Sequence, residues 1–397
     1  VIGPRQAEWF DLAREEHDNL RGALMTASSK NNVEAGLYLS SRLYRLWESL
    51  NMQEGSRWLA EFLENPESKN YPYARAKALC MYGWLLTWRQ QFTQAQPLVQ
   101  EALELFRAHK DRRSEVNALL ILGNIKEFQG NMTGAMEMYQ QALALAQSID
   151  HAWSEAQAHF CLAYDRRDMK RSFDHFEKAV TLFREAGDWA ALANALGVLG
   201  TFRVWSGDVD LAQKYLDEAA ELWRFNKRMD IWENAKVARS QLAMLKGDYE
   251  LASTLLRETL PVAEESGNRM SYLWNRAHLG FVTLRTGDIE DARRIFVDTM
   301  LEFQKDGNTI GVVYGLEGIA TLLIAAGKPE KAARLIGCAD ATREKVPDIR
   351  PLIEEADMYR NMAAILSRIG PSGFEVTYDE GRSMALEEAV RYALEDR

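Results

Sequence analysis

Several features that direct a chain toward disulfide bonding or membranes are scarce in these 397 residues. The three cysteines, Cys80, Cys161 and Cys338, are far apart and form no CxxC pair. This spacing argues against a disulfide framework and against a zinc site, and it suits a reducing compartment. No apolar run approaches the ~18 residues that a membrane helix needs. We therefore expect a cytoplasmic protein that does not enter a membrane.

Basic residues are outnumbered by acidic ones. Forty-eight Lys and Arg stand against 58 Asp and Glu, which gives a net charge of −10. Nucleic-acid phosphates attract the opposite balance, so we expect no direct nucleic-acid contact by this segment. The chain begins with valine rather than methionine, which suggests a segment of a longer protein.

Catalytic and metal-binding signatures are missing as well. The six histidines form no HExxH motif, and the chain contains neither GxSxG nor GxxxxGK[ST]. His159 and Cys161 could be imagined as base and nucleophile, but two residues apart on a helix they point to different faces. We expect no catalytic residue, no metal and no cofactor. An enzyme would require a cluster of titratable residues that the sequence does not show.

What the sequence does have is a 40-residue period. Four glycines stand 40 residues apart, an Asp follows the first three, and an Ala lies five residues after each: Gly207, Gly247, Gly287 and Gly327. Another set of glycines lies seven residues before the turn position: Gly83, Gly123, Gly200 and Gly280. Antiparallel helices approach closely where one of them presents a small residue, and a turn glycine followed by Asp ends one helix and caps the next. The pattern predicts a solenoid of helix pairs.

The chain divides into three predicted regions. Residues 1–72 form an N-terminal capping helix and a first helix pair, and residues 73–345 form the repeat array. Residues 346–397 form C-terminal capping helices, the last of which begins at about Ser383 as its N-cap.

The order of small residue, turn glycine, aspartate, alanine and aromatic residue resembles the tetratricopeptide repeat, lengthened from its usual ~34 residues to about 40. This resemblance implies an all-α, right-handed superhelical solenoid of tetratricopeptide-like helix pairs. The opening segments, Gly3 to Trp9 and Glu16 to Leu24, resemble the region after the nucleotide-binding and winged-helix modules of bacterial STAND-type signal-transduction ATPases. The closing segments, Ala332 to Ala339 and Tyr378 to Ala389, resemble the end of the same family's array. Many such proteins are LuxR-like or maltose-regulator-like transcription regulators.

The resemblance implies a sensing and autoinhibitory region of a multidomain regulator. In this interpretation the array binds a peptide, protein or small-molecule inducer in its concave groove, and a fused nucleotide-binding module is released to oligomerise. Two alternatives remain open. One is a free-standing scaffold that binds a peptide or protein through the same groove without a fused ATPase, and the other is an enzyme.

Amide side chains form the first set of predicted groove residues. In tetratricopeptide-like stacks the first helix of each pair lines the groove, so inward positions can be counted back from each turn residue. Counting back thirteen or six residues gives Asn117, Asn124, Asn194, Asn234 and Gln241. Amides donate and accept hydrogen bonds, so a row of them can hold an extended peptide backbone. Alternatively, neighbouring Asn side chains tie adjacent helices together.

Aromatic side chains form the second set. Counting back thirteen, six or two residues gives Trp84, Trp88, Phe128, Trp205, Trp274 and Phe281. Aromatic walls with a few amides suit a ligand of mixed apolar and polar character. The alternative is that these rings fill the space between neighbouring repeats.

Overall fold

A computed structural model describes residues 5–165, 167–226, 229–345, 350 and 352–395, with the side chains of all but 6, 7, 49, 223–226, 229–235, 352 and 353. Within these ranges the regular structure consists of twenty-one α-helices and one short 3-10 helix, with no β-strand. The predicted all-α class is confirmed.

The N-terminal helices precede the regular repeats. They are α1 (Gln6–Glu15), α2 (His17–Ser29), α3 (Val33–Arg42), α4 (Tyr44–Leu50), α5 (Met52–Glu64) and a 3-10 helix (Pro66–Asn70). The turn predicted near Asn51 is present, since the Asn51 side chain caps α5 by accepting a hydrogen bond from the Glu54 amide at 2.9 Å. The break after Arg42, between α3 and α4, is not marked by glycine or proline in the sequence.

Seven helix pairs follow. Most of their helices have 17 residues, whereas α10 has 11. The pairs are α6 (Pro72–Trp88) and α7 (Phe92–Ala108), α8 (Arg112–Phe128) and α9 (Met132–Ser148), α10 (Ala152–Leu162) and α11 (Met169–Glu185), α12 (Trp189–Trp205) and α13 (Val209–Asn226), α14 (Met229–Leu245) and α15 (Tyr249–Ser266), α16 (Arg269–Arg285) and α17 (Ile289–Lys305), and α18 (Thr309–Ala325) and α19 (Pro329–Lys345).

Two further helices complete the chain, α20 (Leu352–Ser383) and α21 (Leu386–Leu394). Helix α20 is interrupted at Gly370, whose φ of 72° marks the predicted break before Pro371. The expectation that Ser383 caps the last helix is wrong. Ser383 is the last residue of α20, where its hydroxyl donates to the Asp379 carbonyl at 3.1 Å, and α21 begins after Ala385.

The turn glycines and the residues after them act as predicted. Gly207, Gly247 and Gly287 have φ of 78°, 79° and 94°, a region that glycine enters without a Cβ penalty. The following aspartates accept hydrogen bonds from the first turn of the next helix; Asp288, for example, accepts from the Asp291 amide at 3.0 Å. Glycine therefore ends the first helix of each of these pairs, and aspartate starts the second.

The glycines before the turns mark close helix crossings. A Cβ at Gly280 would lie 2.8 Å from the Phe296 ring, and a Cβ at Gly123 would overlap the Tyr139 ring. Both rings are fully buried. These contacts confirm the predicted pairing of a small residue on one helix with a large residue on its partner.

Two compact units can be distinguished. Unit 1 comprises Val1–Leu199, Lys214–Ala235 and Pro261–Met270, and unit 2 comprises Gly200–Gln213, Lys236–Leu260 and Ser271–Arg397. The predicted region boundaries after residues 72 and 345 stay predictions.

Unit 1 contains a long-range contact with its N-terminal helices. A Cβ at Gly267 would lie 3.5 Å from Cγ of Gln53 at the start of α5. Six residues before Gln53, the fully buried Trp47 donates its indole N–H to the Ser40 carbonyl at 3.2 Å. The N-terminal helices are thus packed parts of unit 1.

Unit 2 is held at its C-terminal end by backbone contact and by buried charge. A Cβ at Gly337 on α19 would overlap the Tyr378 carbonyl on α20, so these helices touch directly. Buried Glu317 accepts hydrogen bonds from Arg343 at 2.9 Å and from Arg350 at 2.6 Å. Burial alone would raise the pKa of Glu317, but the two guanidiniums hold it below its usual range.

Candidate ligand-binding cavity

Unit 2 contains a cavity of about 270 Å³. Its walls come from α12, α14, α16 and α18, with Tyr249 at the start of α15 and the first turns of α20 at its mouth. The lining residues are Trp205, Gln241, Met244, Leu245, Tyr249, His278, Phe281, Arg285, Tyr314, Glu354, Ala356, Asp357 and Arg360. Mostly apolar walls with a few polar groups are typical of small-molecule sites.

The repeat itself brings four of these residues together. Trp205, Gln241, His278 and Tyr314 are separated by 36, 37 and 36 residues (241 − 205, 278 − 241, 314 − 278). They lie on the first helices of four successive pairs, each about one helical turn nearer the start of its helix than the one before. Successive repeats therefore place these side chains in one row along the cavity.

Hydrogen bonds link three members of this row. The indole N–H of Trp205 donates to Oε1 of Gln241 at 3.2 Å, and Nε2 of Gln241 lies 3.4 Å from Nε2 of His278. Because an indole N–H can only donate, it fixes which end of the Gln241 amide is the oxygen. The amide N–H then donates to Nε2 of His278, so the neutral imidazole carries its proton on Nδ1.

His278 is neutral at pH 7 because of its surroundings. Burial lowers its pKa to about 4, against a smaller opposing effect from the Trp274 carbonyl. The ring lies 5.6 Å from Tyr314, centroid to centroid, and 6.1 Å from Trp274. The cavity wall at this point is therefore uncharged and aromatic.

Edge-to-face ring contacts stiffen that wall. The Phe281 and Tyr314 rings are 4.7 Å apart at an interplanar angle of 66°, and Trp274 packs edge-on against Tyr314 at 5.6 Å. Such contacts add to the stabilisation from burial of the rings. Trp274 supports the wall from behind, since it contacts Tyr314 and Phe303 but does not line the cavity.

Charged groups surround the mouth. Arg285 on α16 and Arg360 on α20 both form ion pairs with Oδ1 of Asp357. The Arg360 side chain is 61% exposed and the Asp357 side chain 19%. Glu354, on the same turns of α20, faces the buried Arg343 at 3.8 Å. Two guanidiniums thus share one carboxylate oxygen at the entrance.

The cavity contains three of the eleven predicted groove residues, Trp205, Gln241 and Phe281, and Trp274 lies directly behind it. Asn194 belongs to unit 1, on α12. Asn234 lies on α14, but its side chain is outside the described residues. All eleven stay predictions as ligand contacts.

The other predicted residues lie in unit 1. Trp84, Trp88 and Phe128 form one cluster, with Trp88 5.3 Å from Trp84 and 5.8 Å from Phe128 between ring centroids. The indole of Trp84 donates to Glu48 at 3.2 Å. These contacts fit the alternative in which aromatic rings fill space between repeats.

The two predicted amides of α8 differ in their contacts. Asn124 accepts a hydrogen bond from the Tyr139 hydroxyl at 2.7 Å, which ties α8 to α9. Asn117 is partly exposed on the same helix.

Several cavity residues were not predicted from the sequence. His278 and Tyr314 carry a signal that could have identified them, because they continue the spacing of Trp205 and Gln241. The charged residues of α20 have no such sequence signal, since that helix lies outside the 40-residue period.

The pair considered for catalysis is separated as predicted. Nδ1 of His159 lies 2.8 Å from Nδ1 of His175, whereas the thiol of Cys161 faces Asn124 at 3.8 Å. Burial raises the pKa of the Cys161 thiol well above its ordinary value. Among the described residues, no group of three or more His, Cys, Asp or Glu could hold a metal ion, and no helix is long and apolar enough to span a bilayer.

The helix pairs, their turn chemistry and their crossings define a tetratricopeptide-type repeat protein. The chain belongs to the MalT-like TPR region family, whose model matches residues 51–336. This membership confirms the predicted resemblance to the repeat region of maltose-regulator-like proteins.

Curated relatives include proteins of Mycobacterium tuberculosis and Mycobacterium bovis that are named as HTH-type transcriptional regulators. They are 22% identical over 480 aligned positions, which cover 97% of this chain. The chain spans about half, 53%, of the length of these relatives.

Similar solved structures include a Rap protein complexed with competence and sporulation factor. It has a TM-score of 0.53 and 16% identity, covering 76% of this chain and 91% of that one. A STAND protein with a tetratricopeptide repeat sensor from Pyrococcus horikoshii has a TM-score of 0.47 and 14% identity, covering 91% of this chain and 55% of that one. The first likeness agrees with the repeat fold.

Proposed function

We propose that this chain is the sensing, autoinhibitory repeat region of a multidomain bacterial signal-transduction ATPase and transcription regulator. Its inducer, a small molecule, binds in the cavity of unit 2, and binding releases a fused nucleotide-binding module to oligomerise. The region itself performs no catalysis and contacts neither nucleic acid nor membrane. It works in the cytoplasm, in keeping with its three free cysteines.

One observation carries this proposal. Four successive repeats and α20 together build a single cavity with a hydrogen-bonded polar row, an aromatic wall and a charged mouth. Because the walls belong to separate helix pairs, a ligand that contacts several of them changes the free energy of their mutual packing. Such a differential interaction is what allows a ligand to shift a conformational equilibrium.

The test uses the full-length protein that contains this chain, with ATP and a panel of candidate inducers. Light scattering after size-exclusion chromatography measures the oligomeric state at each inducer concentration. We expect Gln241→Leu and Phe281→Leu to raise the inducer concentration for half-maximal assembly at least about tenfold, since each removes a cavity contact. Tyr359→Ala is the matched control, because this exposed aromatic residue lies on α20 but does not line the cavity.

Two outcomes would contradict the proposal. If both cavity variants assemble at the wild-type inducer concentration, the inducer binds elsewhere. If a ligand binds the cavity without any change in oligomeric state, the free-standing scaffold is the better interpretation.

A further inference from the structure

We propose that the cavity of unit 2 selects a small organic anion with a flat aromatic part of about two rings, its negative group held at the mouth by Arg360 and Arg285. This inference rests on the proposed function, because it names the class of molecule that the sensing site accepts. It draws on three properties of the cavity: volume, wall chemistry and charge at the mouth.

The volume sets the size of the ligand. An apolar cavity of roughly 150 Å³ in another protein accepts benzene. The present cavity of about 270 Å³ is nearly twice as large. It therefore suits a bicyclic ring system such as indole, with a short substituent, rather than an extended peptide.

The walls set the shape and polarity of the inner part. Phe281 and Tyr314 stand edge-to-face with centroids 4.7 Å apart, so a flat ring can pack against either face or edge. His278 is uncharged at neutral pH, and its Nε2 already accepts the Gln241 amide. The inner end of the cavity therefore offers no charge that would pair with an ionic group of the ligand.

The mouth sets the sign of the charge. Arg285 and Arg360 meet at one oxygen of Asp357, so two positive groups face one negative group. A ligand carboxylate can join the exposed face of Arg360 in a charge-assisted hydrogen bond. Glu354 also lines the cavity, but its carboxylate faces Arg343, which is 7% exposed.

The experiment compares compounds that share one ring and differ in charge. The 397-residue chain is titrated calorimetrically with indole-3-acetate, 3-methylindole and tryptamine, which are anionic, neutral and cationic at pH 7. We expect indole-3-acetate to bind about tenfold more tightly than 3-methylindole, the gain from one charge-assisted hydrogen bond, and tryptamine to bind most weakly.

Two arginine variants test the proposed contact. Arg360→Gln should reduce the affinity for indole-3-acetate to that for 3-methylindole and leave 3-methylindole binding unchanged. Arg294→Gln is a matched control, because Arg294 is 66% exposed and pairs with an aspartate three residues earlier, as Arg360 does, but it lies outside the cavity. It should bind all three compounds like the wild type.

The inference is overturned if tryptamine binds best and Glu354→Gln removes that preference, because the site then selects cations. It is also overturned if Arg360→Gln leaves the order of affinities intact. If no indole compound binds while Gln241→Leu still impairs the response of the full-length protein to another inducer, the ligand class is wrong and the sensing site stands. Failure of the sensing function itself would appear in the assembly measurement instead.

Discussion

At the scale of single residues, His278 shows how packing in the repeats sets a charge state. Gln241 from α14, Trp274 from α16 and Tyr314 from α18 surround its ring. Each stabilises the neutral imidazole or excludes the water that a cation would require. The pKa of His278 is lowered to about 4, whereas the pKa of a histidine in an unfolded chain is ~6.5.

This difference predicts that stability falls in acid. Below about pH 6.5 the unfolded chain binds a proton at this position and the folded chain does not, so the free energy of unfolding decreases as pH drops toward 4. The contribution of His278 is at most ~3 kcal/mol. Urea denaturation of the wild type at pH 7 and at pH 4.5, compared with His278→Gln, measures it.

The variant should lose less stability between the two pH values than the wild type does. His109→Gln, at an exposed position, is the control and should keep the wild-type difference. Equal losses in His278→Gln and the wild type would show that His278 does not contribute to acid sensitivity. His159, whose pKa burial also lowers to about 4, remains in both proteins and supplies a common background.

The cavity residues differ in whether the sequence alone could predict them. Trp205, Gln241 and Phe281 could be predicted because each stands at a fixed distance before a turn residue. Arg285, Asp357 and Arg360 could not, since Arg285 on a repeat helix pairs with Asp357, which lies 72 residues later on α20, where Arg360 shares the same carboxylate oxygen. Which nonrepeating segment closes a cavity depends on tertiary packing that local periodicity does not record.

At the scale of helices and turns, some turn positions hold a residue other than glycine. Gln90 occupies the turn position between α6 and α7 with a φ of 59°. Gln90 is 5% exposed, and neither the nitrogen nor the oxygen of its buried side-chain amide has a hydrogen-bond partner among the described residues. The left-handed backbone and the unsatisfied amide both cost stability.

Gln90→Gly should therefore raise the free energy of unfolding by ~1 kcal/mol, because glycine adopts this φ freely and removes the buried amide. Gln129→Gly is the matched control, since Gln129 ends the next repeat's first helix with φ of −83°. There glycine gains nothing from a left-handed turn and should destabilise the protein by ~0.5 to 1 kcal/mol. Urea denaturation measures both. A loss of stability in Gln90→Gly would contradict this explanation.

Helix caps show what local sequence can and cannot specify. Asp208, Asp248 and Asp288 could be predicted as caps because each follows a glycine that ends the preceding helix. Ser383 is predicted as a cap only because serine favours that position, and no glycine directly precedes it. The helix continues to Ser383, however, because α20 packs on α19 with Gly381 against the Arg334 backbone. Tertiary contact here overrides the local preference for a cap.

At the scale of the whole molecule, periodic contacts made the fold class predictable. The same helix crossing, a glycine on one helix against a large ring on its partner, recurs along the chain. Examples are Gly123 with Tyr139 and Gly280 with Phe296. In such arrays each repeat is stabilised mainly by its immediate neighbours, so stability is distributed along the chain. A defect in one crossing should therefore remain local.

Hydrogen exchange with Gly123→Ala tests this. The new Cβ overlaps the buried Tyr139 ring, and overpacking of this kind costs ~1 to 3 kcal/mol. We expect faster amide exchange in α8, α9 and the adjacent α7 and α10, while α17 to α19 in unit 2 keep their protection. The control is Gly22→Ala on α2, since a Cβ there meets nothing within 4 Å. Alanine favours the helix more than glycine does, so this variant should show no faster amide exchange than the wild type.

A uniform loss of protection in Gly123→Ala would show that the chain opens as one cooperative body. That result would weaken the sensing proposal, because a sensor needs parts whose packing can change while others stay folded. Local loss confined to neighbouring helices would instead mean that ligand contacts in unit 2 can alter the packing of a few helix pairs at a time. The cavity, whose walls come from four successive pairs and α20, is placed to act on that local equilibrium.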